Sequence, residues 1–260
     1  MNTPLLGRYS VAFQTIVYKE VRRFTRIWMQ TLLPPMITTS LYFLIFGTLI
    51  GARVGEVEGQ PFIDYILPGI ILMGVISNSY GNVVSSFYGT KFQRNIEELL
   101  IAPVPNWVIL AGYVCGGVMR GLLVGLLVSL IANFFTTVQV EHWLVTLTVF
   151  VLTAVLFSLA GFINAVYAES FDDISIIPTF VLTPMIYLGG VFYSIDMLPS
   201  IWQTISLGNP ILYMVSAFRY GMLGVSDVNL LVSFAIIVGF IIVLSGFAIH
   251  LLNKGVGIKA

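Results

Sequence analysis

Residues 91–105 read KFQRNIEELLIAPVP and form the longest strongly polar run between two apolar blocks in the middle of the chain. A helix drawn through this run has a polar and an apolar face, at the three- and four-residue spacings of an amphipathic helix. Pro103 and Pro105 end the helix before the next apolar segment begins. The pattern therefore predicts a short charged helix over residues 91–101. Its polar residues are Lys91, Arg94, Asn95, Glu97 and Glu98, and its apolar residues are Phe92, Ile96, Leu99 and Leu100.

This predicted helix has two interpretations. A membrane protein that only reverses direction needs few polar residues between spans, so a charged helix that prolines terminate favours a docking surface for a soluble partner. The alternative is a solvated connecting helix. Under the docking hypothesis, the contacting residues are Lys91, Phe92, Gln93, Arg94, Asn95, Ile96, Glu97, Glu98 and Leu99.

Composition predicts an integral membrane protein. Hydrophobic residues make up 58% of the chain and charged residues 9%, with a mean hydropathy of +0.96. Soluble domains carry about 25% charged residues. Twelve Lys and Arg residues balance twelve Asp and Glu residues, so nothing indicates nucleic acid as a partner. The single cysteine, Cys115, predicts no internal disulfide, and residues 1–10 do not have the pattern of a cleavable signal peptide.

Residues 10–26 predict an amphipathic helix with one basic face. Lys19, Arg22 and Arg23 lie on that face, opposite an apolar stripe. This arrangement is typical of a helix in the interface of an anionic membrane leaflet. An ordinary cation-rich flank of the first span is the alternative. Both interpretations put the N-terminus in the cytoplasm.

Six apolar segments predict an all-α polytopic membrane protein. The predicted spans cover about residues 27–50, 62–88, 107–134, 143–167, 174–193 and 229–252. Six spans place nine of the Lys and Arg residues in the cytoplasm and only Arg53 and Arg219 outside. This bias supports cytoplasmic N- and C-termini.

The third span contains a glycine strip and one arginine. Glycine recurs every four or five residues, which predicts close helix packing, either within one subunit or at a dimer contact. Arg120 lies in the middle of the span, where a charge is costly. The favoured hypothesis is a structural arginine that backbone carbonyls or a carboxylate satisfy, and the alternative is a substrate contact. The glycines are Gly112, Gly116, Gly117, Gly121 and Gly125.

The fifth span and the segment after it predict an irregular outer region. Pro178, Pro184 and the pair Gly189 and Gly190 predict a bent span. Residues 194–228 are too polar for one span and predict two short helices, broken at Gly208-Asn209-Pro210, that dip into the outer interface. In a homodimer this region would form an outer gate, or it would only cap the fold. The gate residues under the first hypothesis are Gly189, Gly190, Val191, Phe192 and Tyr193.

The search for catalytic and metal-binding patterns predicts a protein that is not an enzyme. The chain contains no Gly-Lys dipeptide, so it lacks the phosphate-binding loop that ends in that pair. His142 and His250 are predicted on opposite sides of the membrane and cannot share a metal ion. Every Asp and Glu is expected in or beside a loop, which disfavours an ion-coupled carrier.

Three stretches carry a resemblance to a known family: SSFYGTKFQRNIEELLIAPVP, SFDDISIIPTFVLTPMIYLGGVFYSIDMLP and NPILYMVSAFRYGMLG. With the order of elements, they resemble ABC-2 type permeases, the membrane subunits of bacterial ABC exporters. The resemblance implies six spans, an N-terminal interface helix over residues 10–26, a cytoplasmic coupling helix over 91–101 and outer re-entrant helices within 194–223. It also implies a homodimer with two separate ATPase subunits, which bind ATP and Mg²⁺.

The expected function is therefore that of a permease subunit without a cofactor of its own in the bacterial inner membrane. It would export an amphipathic, lipid-linked or drug-like substrate. An ion-coupled secondary transporter is the alternative. The expected organisation is a cytoplasmic segment with the interface helix over residues 1–26, a membrane domain over 27–253 and a cytoplasmic tail over 254–260. Membrane lipid is a further expected partner.

Overall fold

The computed structural model describes residues 5–96, 101 and 103–257, which are mostly helical. A two-residue hairpin pairs β1 (Glu56–Val57) with β2 (Gln60–Pro61) in antiparallel register. A 3₁₀ turn covers Ile195–Met197. The helices are α1 (Leu5–Arg26), α2 (Trp28–Val54), α3 (Phe62–Phe92), α4 (Asn106–Ala132), α5 (Trp143–Tyr167), α6 (Asp173–Tyr187), α7 (Ser200–Leu207), α8 (Pro210–Leu223) and α9 (Leu230–Lys254).

Within the described residues, five helices are long and apolar enough to cross a membrane: α2, α3, α4, α5 and α9. They correspond to the predicted first, second, third, fourth and sixth spans. The predicted fifth span was wrong at its end, because α6 ends at Tyr187 instead of Tyr193. Gly190 has φ +70°, a left-handed conformation that glycine adopts readily and that no helix continues.

Two helices contain π-helical segments, where each hydrogen bond spans one residue more than in an α-helix. Phe43–Ile50 is π-helical within α2, and Pro178–Leu182 is π-helical within α6. The segment in α6 begins at Pro178, which has no N–H to donate to the α-helical ladder. Pro34 and Pro35 lie inside α2 without ending it.

Helix α3 occupies the centre of the bundle. In an apolar stretch of 18 residues within α3, 78% of the residues are buried, and α3 packs along both α4 and α5. By contrast, only 11% of the residues in the corresponding stretches of α2 and α9 are buried. These two helices therefore present most of their apolar surface outward, as expected for segments in contact with lipid or a second subunit.

The glycine strip of the third span packs within the chain, as the first hypothesis predicted. A Cβ built at Gly112 would lie 2.6 Å from Ile16 Cγ2, and one at Gly116 would lie 2.5 Å from Glu20 Cβ. The strip therefore admits α1 on one side of α4. On the other side, a Cβ at Gly125 would lie 2.5 Å from Phe150 Cζ of α5.

The connecting segments gather at the two ends of the bundle. The hairpin lies at one end, where Glu141 and His142 donate backbone hydrogen bonds to the last turn of α8. Thr136 also hydrogen-bonds Asp64 there. We call this the hairpin end. The end of α3 and residues 168–172 lie at the opposite end, which we call the Lys91 end.

Candidate functional site

The predicted docking helix does not begin at Lys91. Lys91 and Phe92 are the last residues of α3, and a turn follows at Gln93 and Arg94. Arg94 has φ +60°, which breaks the helical path, so the prediction of one continuous helix over residues 91–101 was wrong at its start. Asn95, Ile96 and Ile101 are helical, whereas Glu97, Glu98 and Leu99 lie outside the described residues.

Lys91 connects the end of α3 to the end of α5. Its Nζ donates hydrogen bonds to Val166 O at 2.9 Å and to Ala168 O at 2.7 Å. A cation at a helix C-terminus satisfies carbonyls that lack helical partners and interacts favourably with the helix dipole. Lys91 therefore links the ends of these two helices.

Aromatic contacts join the same two segments. Tyr88 donates a hydrogen bond to Glu169 O at 2.9 Å, and the rings of Phe92 and Phe171 lie 4.9 Å apart. Phe92 nevertheless remains 63% exposed, whereas Ile96 is 2% exposed and belongs to the core. The exposed polar residues Gln93, Arg94 and Asn95 therefore share a surface with residues 169–171 at the Lys91 end.

The three predicted interface cations lie in different environments. Arg23 reaches α3, where it donates to Asn82 Oδ1 at 2.8 Å and to Asn82 O at 2.9 Å. Lys19 donates to Thr90 at 3.3 Å and lies over the Tyr113 ring. Arg22 is exposed. Helix α1 thus packs against the bundle with part of the basic face that the sequence predicted to lie at the anionic membrane interface.

Glu20 was missed, and the expectation that every carboxylate lies in or beside a loop was wrong for it. Its side chain is fully buried against Gly116 of α4. Ser86 donates to Glu20 Oε1 at 2.6 Å, and Arg23 Nη2 lies 3.5 Å from Oε2. The apolar stripe of α1 was a usable signal, since Glu20 lies four residues after Ile16 and four before Phe24, both of which are buried.

Arg120 has a polar partner, but the partner is not the carboxylate or backbone carbonyl that was expected. Its Nη2 donates to Asn78 Oδ1 of α3 at 3.2 Å. Asn78 in turn donates to Gly74 O at 3.0 Å, which fixes the orientation of the amide. Among the described residues, Arg120 Nε has no hydrogen-bond partner.

We expect Arg120→Leu to impair transport, because it removes the hydrogen bond to Asn78 that joins α4 to α3, and a hydrogen bond from a charged group contributes about 1.5–3 kcal/mol. Arg120→Lys should be milder, since an ammonium can still donate to Asn78. Initial transport rates in vesicles, normalised to the amount of protein, measure both effects. The double variant Asn78→Leu/Arg120→Leu should be no worse than Arg120→Leu alone. Full activity of both single variants at Arg120 would show that the charge is dispensable.

Asn78 also lines a cavity of about 320 Å³ between α2, α3 and α6. Hydroxyl-bearing side chains from each helix surround it, together with apolar ones. Polar lining residues include Thr38, Thr39, Tyr42, Ser77, Asn78, Thr183 and Tyr187. A cavity with this mixed lining suits an amphipathic molecule better than a bare ion.

The predicted gate residues lie together in the turn that follows α6. Gly189, Gly190, Val191 and Phe192 are buried, and Tyr193 is half-buried. A Cβ built at Gly69 would lie 2.5 Å from Val191 O, so the turn packs directly on the backbone of α3. We call residues 189–193 the gate segment.

Phe192 links the gate segment to α2. Its ring lies 4.7 Å from Phe46 and 5.6 Å from Tyr42. The Phe46 contact falls in the π-helical part of α2. Tyr42 and Tyr187 also share a hydrogen bond of 3.3 Å between their hydroxyl groups. A movement of α2 relative to α6 therefore acts directly on the gate segment.

The two short helices predicted after the gate segment are α7 and α8. Their break falls at Gly208 and Asn209, as predicted from the Gly-Asn-Pro sequence. The Asn209 side chain accepts a hydrogen bond from Ile211 N at 3.0 Å and donates to Met185 O at 2.6 Å. Asn209 therefore caps α8 and joins the break to α6.

Arg219 has contacts that sequence analysis missed. The sequence placed it on the outer side of the membrane without a partner, and in the structure its side chain is fully buried. Its Nη1 lies 2.6 Å from Asp227 Oδ2, and the Asp227 side chain is 1% exposed. Helical periodicity gave a usable signal, since Val215, Phe218 and Met222 are also buried on the same face of α8.

Glu58 approaches the same carboxylate from the hairpin. Ser194 Oγ lies 2.9 Å from both Glu58 Oε1 and Asp227 Oδ1, and its single proton can serve only one of them at a time. Partial burial raises the pKa of Glu58, the Ser194 hydroxyl opposes this, and the charge of Asp227 raises the pKa further. The folded state therefore holds a proton on Glu58 more tightly than the unfolded state does.

Because the folded-state pKa of Glu58 is raised, its contribution to stability is complete below the unfolded pKa of about 4.3. The contribution is lost as pH rises through the raised folded value. We therefore expect the melting temperature to fall over this interval in the wild-type protein and to fall less in Glu58→Gln. Thermal unfolding in detergent from pH 4 to pH 8 measures this. Glu56→Gln, an exposed change in the same hairpin, is the control; an identical pH profile in all three proteins would contradict the prediction.

No group of three or more His, Cys, Asp or Glu side chains is placed to hold a metal ion among residues 5–96, 101 and 103–257. Cys115 is a free thiol. The main polar features described above are therefore the exposed surface at the Lys91 end, the cavity beside Asn78, and the gate segment with Arg219.

The five apolar helices among the described residues define a multi-pass membrane protein. The chain belongs to the ABC-2 type transporter family, whose model matches residues 11–223. The resemblance drawn from three sequence stretches is thereby confirmed. Family members are membrane subunits rather than enzymes.

Individual relatives agree with this assignment. The chain is 56% identical over 256 residues to the inner membrane transport permease YadH of Escherichia coli (strain K12), which covers 98% of this chain and 100% of that protein. Nodulation protein J of Sinorhizobium fredii is 28% identical over 186 residues, covering 71% and 70%. The Rhizobium leguminosarum bv. viciae protein of the same name is 23% identical over 207 residues, covering 78% and 79%.

Proposed function

We propose that this chain is the permease subunit of an ABC exporter in the bacterial inner membrane. Two copies would assemble with two copies of a separate ATPase subunit that binds ATP and Mg²⁺. The observation that carries the proposal is the family match over residues 11–223. The missing Gly-Lys dipeptide fits the proposal, since this chain then lacks the phosphate-binding loop that a separate ATPase subunit would supply. The Escherichia coli relative is itself named an inner membrane transport permease.

The proposed topology has six spans, with α6 as the short fifth one and both termini in the cytoplasm. Helix α1, within residues 1–26, is the interface helix, residues 27–253 are the membrane domain, and residues 254–260 are the tail. Helices α7 and α8 are the re-entrant pair. Their support is that both are short helices at the hairpin end, which is the outer end in this topology, and that α8 is mostly buried while α7 is mostly exposed.

The ATPase would dock at the Lys91 end, with Gln93, Arg94 and Asn95 as contacts and Lys91 as their support. Movement there would pass along α3 directly and along α5 through Lys91. The support for this route is the pair of hydrogen bonds from Lys91 to the end of α5. Glu97, Glu98 and Leu99 remain part of the proposed contact.

We expect Arg94→Glu to uncouple ATP hydrolysis from transport while leaving expression unchanged, because Arg94 is exposed and its substitution removes no core contact. A reversed rim charge commonly weakens association with a charged partner by about tenfold. Transport per ATP hydrolysed in vesicles measures the coupling. Arg53→Glu, an exposed reversal at the hairpin end, is the matched control. Equal coupling in Arg94→Glu and wild type would remove Arg94 from the docking surface.

The substrate class we propose is an amphipathic, lipid-linked or drug-like molecule that moves outward through the cavity beside Asn78. The volume of this cavity, about 320 Å³, and its lining of both polar and apolar side chains support this substrate class. The gate segment would close the outer end of the path near the two-fold axis of the dimer. Because Val191 is buried within its own chain, cross-linking between subunits is better tested at exposed Tyr187 or Met197. A cross-link yield that changes with the nucleotide state would support the gate.

Two experiments test the proposal as a whole. Purification in mild detergent should recover an ATPase with this chain, and ATP should drive transport in vesicles. Failure of both results would overturn the proposal.

An ion-coupled secondary transporter is the second candidate, because Glu20 is a buried carboxylate beside the bundle. Its oxygens already contact Ser86 and Arg23, which favours a structural role. Transport that requires a proton gradient, ignores ATP and is abolished by Glu20→Gln would favour the carrier instead.

A further inference from the structure

Arg219 of α8 uses all three of its side-chain nitrogens inside the protein. Nη1 donates to Asp227 at 2.6 Å, Nη2 donates to Gly190 O at 2.6 Å, and Nε donates to Tyr65 O at 3.3 Å. The Tyr65 ring stacks on the guanidinium, 4.0 Å from its central carbon to the ring centroid. Four parts of the chain meet at this one side chain: the start of α3, the gate segment, α8 and the link to α9.

The Arg219 guanidinium fixes both the position and the orientation of the groups that accept its hydrogen bonds. A guanidinium is planar and directs its N–H groups along set directions, so each acceptor has to lie along one of them. Hydrogen bonds from a charged donor are also about twice as strong as neutral ones. The carbonyl of Gly190 therefore has a defined location relative to α8 and to the first turn of α3.

Fixing Gly190 fixes the next residue of the gate segment. Gly190 adopts φ +70°, and Val191 then lies with its backbone against Gly69. A Cβ at Gly69 would lie 2.5 Å from Val191 O and 2.7 Å from Val191 Cα. The Val191 side chain is fully buried as a result.

The residue after the gate segment contacts the same cluster. Asp227 Oδ1 accepts a hydrogen bond from Tyr65 Oη at 3.2 Å and lies 2.9 Å from Ser194 Oγ. Ser194 is 3% exposed. Arg219 thus acts on the gate segment directly at Gly190 and, through Asp227, at Ser194.

We propose that Arg219 is the positioning residue of the outer gate, because it holds Gly190 and Ser194 so that Val191 stays closed against Gly69. The inference rests on the proposed function, in which the gate segment closes the outer end of the transport path. The residue that holds the gate segment in its closed position then lies outside that segment.

The test measures how fast a water-soluble maleimide modifies a cysteine introduced at Val191 in a Cys115→Ser background. The full chain is reconstituted in lipid nanodiscs, which leave both faces of the bilayer open to the reagent. The labelling rate is compared between Arg219, Arg219→Lys and Arg219→Met/Asp227→Leu. The double change removes the buried charges together, because removing one alone would leave the other unpaired and destabilise the fold.

We expect labelling at Val191 to be slow with Arg219 and about tenfold or more faster in the double variant, since losing a hydrogen bond to a charged group shifts a local opening equilibrium by about that factor. Arg219→Lys should lie between them, because an ammonium keeps the charge but not the planar arrangement of donors. A cysteine at Ala132, fully buried at the same end of the bundle, is the control and should stay slow throughout.

Two results would overturn the inference. Unchanged labelling at Val191 in the double variant would show that Arg219 does not hold the gate segment closed. Equal increases at Val191 and Ala132 would show that Arg219 only stabilises the fold. The measurement needs no nucleotide, ATPase or substrate, so failure of the proposed function would appear separately, as absent ATPase copurification and absent ATP-driven transport.

Discussion

Gly161→Val is expected to destabilise the protein by about 3 kcal/mol, at the upper end of the usual cost of overpacking a core. Gly161 lies in α5 where it crosses α3, and a Cβ built on it would lie 2.5 Å from Tyr80 O. The obstacle is backbone in the central helix, which cannot move aside as a flexible side chain can. The two helices would have to separate along their contact.

Gly246→Val is the matched control, because Gly246 also lies inside a predicted span and a Cβ there meets nothing within 4 Å. Valine is slightly better than glycine in a helix, so this change should be neutral or stabilise by a few tenths of a kcal/mol. Thermal unfolding in detergent compares the two. Similar melting temperatures would contradict the close packing of α5 on α3.

Glu20→Ala is expected to cost about 3 kcal/mol, the upper end of the range for leaving a buried polar group without its hydrogen-bond partner. The cost falls mainly on Ser86, because the Arg23 side chain is 27% exposed and keeps its two hydrogen bonds to Asn82. Ser86 would lose its acceptor in a fully buried site. Helix α1 should then detach more readily from α4, with lower thermal stability and lower transport.

Glu20→Gln separates shape from charge in this prediction. Its side-chain oxygen can still accept from Ser86, so we expect most of the stability to remain. Arg22→Ala, an exposed change on the same helix, controls for a general effect on α1. A loss in Arg22→Ala as large as in Glu20→Ala would contradict the role of the buried carboxylate.

The sequence predicted most of the helices because their apolar periodicity and their prolines and glycines act locally. The break between α7 and α8 is an example, since Asn209 caps α8 with its own side chain. The glycine strip of α4 was also predictable, because residues without side chains at helical spacing have few other uses in a membrane. The family resemblance rests on such local sequence patterns.

The polar interior was not predictable in the same way. Glu20 and Ser86, or Arg219 and Gly190, are far apart in sequence and meet only after the helices pack. The positive-inside rule assigns each cation outside a span to one side of the membrane and does not address its burial, so the contacts of Arg219 were missed. The turn at Arg94 was missed because arginine carries no preference for a left-handed backbone.

The contrast between α3 and α9 in burial and hydropathy has a consequence for membrane insertion. Helix α3 is the most buried candidate span and has the lowest mean hydropathy, 1.5, whereas α9 is 11% buried and has a mean hydropathy of 2.8. As synthesis proceeds, α3 leaves the insertion machinery before α4 and α5 exist, with Asn82 and Ser86 still facing lipid. Unpaired polar groups in hydrocarbon are costly. Helix α1 is already complete at that stage, and it carries the hydrogen-bond partners of both residues: Arg23 for Asn82 and Glu20 for Ser86. We therefore expect helix α1 to supply hydrogen-bond partners to α3 early in insertion, whereas the strongly apolar α9 can insert without such partners.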